Sequence, residues 1–93
     1  MASRHPETPS ARLSDLAPGR TAVIAGVEAI GADDPVAPRL EDLGFVRGEP
    51  LRVIAHGPLG GDPIVVQVGY TRFALRRAEA GRILVTDHLA AMP

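Results

Sequence analysis

Between Arg39 and Pro63 the chain reads RLEDLGFVRGEPLRVIAHGPLGGDP, and its five glycines leave room only for short elements. A parallel strand pair needs a crossover of a dozen or more residues, usually a helix, so this segment does not encode a βαβ unit. It encodes a small, twisted, antiparallel sheet with one helix lying on it.

Leu40 and Leu43 are spaced i, i+3 and share one side of a helix, leaving Arg39, Glu41 and Asp42 to solvent. Gly44 stands where such a helix stops, and Phe45 after it can fold back onto the leucines. Two starts are compatible with the sequence: Asp34 as N-cap before Pro35, or Pro38 in the first turn. Arg47-Gly48 then reverses the chain into a strand in which Leu51, Val53 and Ala55 alternate with Arg52, Ile54 and His56. Pro50 at its entrance lacks a backbone donor and suits a strand start or edge. Gly57-Pro58 and Gly60-Gly61-Asp62-Pro63 form a cluster of breakers, which predicts a loop.

The remaining chain extends the pattern. Residues 1–11 are small and polar with Pro6 and Pro9, and are expected to form a disordered tail. Leu13 and Leu16 fit a single helical turn capped by Ser14 or Asp15, and Pro18-Gly19 launches the first strand. TAVIAGVEAI, residues 21–30, is almost wholly apolar; its Val and Ile content favours strand over helix, either a strand buried on both sides or one that bends sharply round a barrel at Gly26. Ile64 to Tyr70 places Ile64, Val66, Val68 and Tyr70 on one face and should pair antiparallel with Leu51 to His56. A hairpin connection leads to Phe73 and Leu75, and Arg77 to Gly81 makes one helical turn. Ile83 and Val85 give the last short strand. The expected fold is mainly β: a small five-stranded barrel, with one short helix between strands one and two and a helical turn before the last strand. Rolling the sheet on itself is the way so few residues can bury both Val- and Ile-rich faces and limit exposed edges.

With 93 residues and no cysteine, this is one small domain held by apolar packing, without disulfides or thiolate metal sites. No apolar run approaches the roughly 20 residues of a membrane span, and the N-terminus lacks the apolar core of a secretory signal. A cytoplasmic location without membrane insertion is the expectation. The formal charge is −1, and all ten basic residues are arginine, so no global field steers the chain toward nucleic acid.

The chemical constellations are sparse. Gly60-Gly61-Asp62 could cradle an anion, but the Gly-Lys-Ser/Thr sequence of a phosphate loop is missing, and a hairpin turn with Asp62 bonding its own backbone is the better reading. His5, His56 and His88 lie far apart without metal-ligand spacing, so no cofactor is required; a histidine beside a carboxylate would offer at most a weak surface site for a divalent ion. Ser3, Ser10 and Ser14 have no base placed near them, and the adjacent Glu41 and Asp42 point in different directions on a helix, so an enzyme is not expected. Of the aromatics, only Tyr70 near Arg72 could stack on a base, which is too little for a nucleic-acid site. Arg76 has two readings, binding a partner or bonding the neighbouring loop and Glu79. Exposed apolar loop residues on a rigid barrel are candidates for protein contact. Pro58 and Leu59 lead that group, with Gly60, Gly61, Asp62 and Arg76 around them.

Four motifs then occur in order: Leu13, Leu16, Pro18 and Gly19; RLEDLGFVRG from Arg39 to Gly48; PLGGDP from Pro58 to Pro63; and ALRRAEA from Ala74 to Ala80. Together they resemble the FeoA family, small proteins of bacterial ferrous-iron uptake. The resemblance implies an SH3-like barrel over residues 12–87, followed by a C-terminal tail at 88–93. It also implies a partner, the cytoplasmic GTPase region of the FeoB permease. An alternative is a metal- or ligand-sensing barrel like the C-terminal domain of iron-dependent repressors, although this chain carries no helix-turn-helix ahead of it. Self-association stays open.

Overall fold

The structure, a computed structural model, describes residues 11–87. Its elements are β1 (Ala11–Arg12), a 3-10 turn (Leu13–Asp15), β2 (Thr21–Val27), α1 (Val36–Leu43), β3 (Pro50–Leu59), β4 (Asp62–Val68), β5 (Thr71–Leu75), α2 (Arg77–Ala80) and β6 (Ile83–Asp87). The strands form one antiparallel sheet in the order β1-β6-β2-β3-β4-β5. The fold is mainly β, with α1 after the first long strand and α2 before the last, as expected.

A period of two builds the core. In β4, Ile64, Val66 and Val68 are buried while Val65 and Gln67 are partly exposed. Register sets Leu51 opposite Val68, Val53 opposite Val66, and Ile64 opposite Leu75, so apolar residues meet apolar residues on the inner face. Ile24 meets Val85 in the same way. Leu13 and Leu16 are tucked into this core by the 3-10 turn. Helix α1 contributes Leu40, then stops at Gly44, where the Phe45 N–H donates back to the Leu40 carbonyl at 3.1 Å. Phe45 is fully buried and its ring lies 5.0 Å from that of Phe73, at an interplanar angle of 55°, a tilted packing that suits the ring quadrupoles.

The structure departs from the sequence reading at four places. A sixth strand, β1, joins the five expected: Ala11 lies opposite Val85 and Arg12 opposite Leu84, so the expected tail does not include Ala11. Residues 1–10 and the expected C-terminal tail at 88–93 lie outside the described residues. The glycine-proline segment is not a broad loop, because β3 and β4 run into it and leave Gly60 and Gly61 as the turn. Tyr70 sits in the β4–β5 turn, fully exposed, rather than in the strand that the sequence reading extended to it.

The fourth departure is a bulge. Val53 opposes Val66 but Ala55 opposes Val65, so Ile54 is the extra residue and the faces exchange beyond it. His56, which simple alternation placed outward with Arg52, therefore comes opposite Ile64, and its Nε2–H donates to the Leu16 carbonyl at 2.9 Å. A second shift, between Ile24 and Gly26 in β2, bends that strand at the glycine marked by the sequence.

Candidate functional site

The end of the β3–β4 hairpin is the projecting apolar feature that the sequence singled out. Leu59 and Asp62 face each other across the turn, and Gly60 and Gly61 have φ of 68° and 86°. Two consecutive positive φ values describe the hairpin turn that matches strand twist, and glycine takes them without a Cβ clash. Leu59 is 80% exposed at this tip, and Pro58 is exposed beside it.

The tip is clamped from behind. Asp62 Oδ1 accepts the backbone N–H of Arg77, the first residue of α2, at 3.0 Å, whereas the sequence reading has this aspartate bond its own backbone. The Gly61 N–H donates to the Gly57 carbonyl at 3.1 Å. A Cβ on Gly61 would come within 3.2 Å of Arg77 Nη1, so that guanidinium lies against the turn. Gly57 is where the two strands crowd: a Cβ there would sit 2.5 Å from the Asp62 carbonyl oxygen and 2.8 Å from Pro63 Cδ.

Arg76 immediately precedes this clamp, so the structure brings Pro58, Leu59, Gly60, Gly61, Asp62 and Arg76, which the sequence offered as separate pieces, to one end of the sheet. The Arg76 backbone N–H donates to Glu79 Oε1 at 2.9 Å. Its exposed guanidinium has no hydrogen-bond partner among the described residues.

A second feature escaped the sequence reading. Between α1 and β5 runs a groove of about 150 Å³, lined by Val36, Arg39, Leu43, Phe73 and Glu79 among others. Leu43 is 46% exposed on its rim. Its signal was present in the i, i+3 pair Leu40 and Leu43, of which only Leu40 is buried.

Charges are arranged mainly as struts. Arg12 Nη1 donates to Glu28 Oε1 and to the Gly81 carbonyl, both at 2.7 Å, fixing β1 to the start of β6. Asp34 accepts from the Arg82 guanidinium, from the Ile30 N–H at 3.0 Å and from the Val36 N–H at 2.9 Å. These bonds, the arginine's first, hold its carboxyl at about 2, below the ordinary 3.8. Among the described residues, no group of three histidine, aspartate or glutamate side chains is placed to hold a metal ion, and His5 and His88 lie outside them. No helix among the described residues is long and apolar enough to cross a membrane.

A family model described as the FeoA domain matches residues 11–87, the whole described structure. The chain belongs to the FeoA family. Its FeoA fold superposes on that of zinc-complexed FeoA from Stenotrophomonas maltophilia with a TM-score of 0.75, at 50% identity over 82% of this chain and 89% of that one. That protein is described as a prokaryotic SH3-domain protein considered as a ferrous iron transport activating factor. FeoA from Chlorobium tepidum matches at 42% identity and a TM-score of 0.71, covering 83% of this chain and 70% of that chain. A FeoA-like protein from Clostridium acetobutylicum gives 0.76 at 26% identity, covering 92% and 95%. A manganese-dependent transcriptional repressor shares the fold at 23% identity, with a TM-score of 0.71 over 86% of this chain and 43% of its own. No curated protein matches this FeoA chain significantly. The family is associated with ferrous iron transport.

Proposed function

We propose that this protein is a non-enzymatic, cytoplasmic accessory module of bacterial ferrous-iron uptake. It docks on the cytoplasmic GTPase region of a FeoB-type permease through the β3–β4 hairpin tip. The observation that carries this reading is Leu59, an apolar side chain 80% exposed on a turn immobilised by the Asp62–Arg77 hydrogen bond. A preorganised tip loses little conformational freedom on binding, so most of the apolar contact appears as affinity. Arg76, exposed beside the clamp, supplies a charged rim to the contact.

Co-purification tests it. Immobilised FeoB cytoplasmic region should retain the wild type and lose most of Leu59→Asp, which should unfold at the same temperature because the side chain is exposed. Retention of neither protein would refute the docking. Divalent metal plays no required part in this reading: calorimetric titration with ferrous and zinc ions should show weak surface binding at most. Saturation at micromolar metal would favour a sensor instead.

A further inference from the structure

Antiparallel register places Thr21, Arg52, Gln67 and Arg72 in one row across β2, β3, β4 and β5. Their chain neighbours Leu51, Val53, Val66 and Val68 are buried, so the period of two turns this row to the outer face. Arg52 and Arg72 flank Gln67 two strand spacings apart, about 10 Å between Cα atoms. Arg72 Nε–H donates to Gln67 Oε1 at 3.2 Å, and the Gln67 amide donates to the Gly69 carbonyl at 3.1 Å. That relay fixes the Arg72 fork while engaging one of its five donors. Among the described residues Arg52 has no hydrogen-bond or ion-pair partner for its guanidinium.

The concavity between them, about 270 Å³, is lined by Gly19, Arg52, Val53, Ile54, Gln67 and Arg72, with no carboxylate. Two other arginines do face carboxylates: Arg12 pairs with Glu28 and Arg82 with Asp34. Two like charges sharing a concave surface repel one another, and an anion between them relieves that repulsion while accepting forked hydrogen bonds from both.

We propose that Arg52, Arg72 and Gln67 form an oxyanion-binding site, taking a phosphate or a carboxylate group. The arginines supply the donors, and Gln67 is a positioning residue that holds Arg72. The site is independent of the iron-transport reading and lies on another part of the sheet from the hairpin tip.

The test follows arginine Nε–H resonances of the 15N-labelled protein by NMR during titration with inorganic phosphate and, separately, with an acetylated Glu-Glu peptide. Saturating shifts at Arg52 and Arg72 with either probe support the site, and the probe that binds more tightly identifies the source of the anion. Arg52→Gln and Arg72→Gln should each weaken binding about tenfold with backbone spectra otherwise unchanged, while Arg39→Gln should leave it intact. Small shifts of equal size at all arginines, without saturation for both probes, would overturn the proposal. So would unchanged affinity in the two variants.

Discussion

At Gly57 the requirement for glycine is spatial, since a methyl group would meet backbone atoms of Asp62 at 2.5 Å and 2.7 Å. Backbone cannot swing aside as the end of a flexible side chain can, so Gly57→Ala should destabilise by about 1–3 kcal/mol, in the range of overpacking. A lowered urea midpoint with an unchanged slope would register this, whereas an unshifted midpoint would mean that the strands separate freely there. Asp34 makes a different prediction. Its folded pKa, about 2, lies below the ordinary 3.8, so its contribution is complete above about pH 4 and is lost as pH falls toward 2. Asp34→Asn should therefore lower the melting temperature at neutral pH and flatten the acid limb of stability between pH 4 and pH 2. Parallel acid limbs in the two proteins would contradict the assignment.

Two tertiary contacts hold the elements together. Asp62 joins the hairpin to α2 through the Arg77 N–H, and Asp62→Ala should cost about 1 kcal/mol, as the loss of a helix N-terminal acceptor does. Hydrogen exchange at Gly61 and Arg77 should speed up in that variant before exchange in β2 does; uniform acceleration would mean that the hairpin is not a separable unit. Phe45 connects α1 to β5 through Phe73, and Phe45→Ala should cost about 3–5 kcal/mol. The strands and the helix stop were legible because Val, Ile and Leu recur at periods of two and of three to four, and because Gly44 follows the last helical leucine. Strand β1 was not, since two residues, Ala11 and Arg12, carry no period. The bulge at Ile54 depends on how β4 aligns with β3, which no local pattern encodes, so His56 was assigned to the wrong face. Gly57, Pro58 and Pro63 read as breakers, yet at a hairpin end they are accommodated within paired strands. The residues of the tip were legible as exposed turn residues. Their proximity to Arg76 was not, because it rests on a hydrogen bond spanning fifteen residues.

For the molecule as a whole, the small core limits where function can reside. The inner face is filled by apolar side chains from β2 through β6, and among the described residues every large side chain that is fully buried is apolar. The surface features left for the proposed contacts are the hairpin tip with Leu59, the groove beside α1, and the arginine row on the outer face. A chain with nearly balanced charge relies on such local patches rather than on long-range attraction. The central claim is that the FeoA fold presents the β3–β4 tip to its partner. An NMR footprint of the 15N-labelled protein with unlabelled FeoB cytoplasmic region tests this most directly. The account predicts that the largest amide changes fall at Leu59 to Asp62 and at Arg76 and Arg77. Changes confined to β1, β2 and β6, with the tip unaffected, would contradict it.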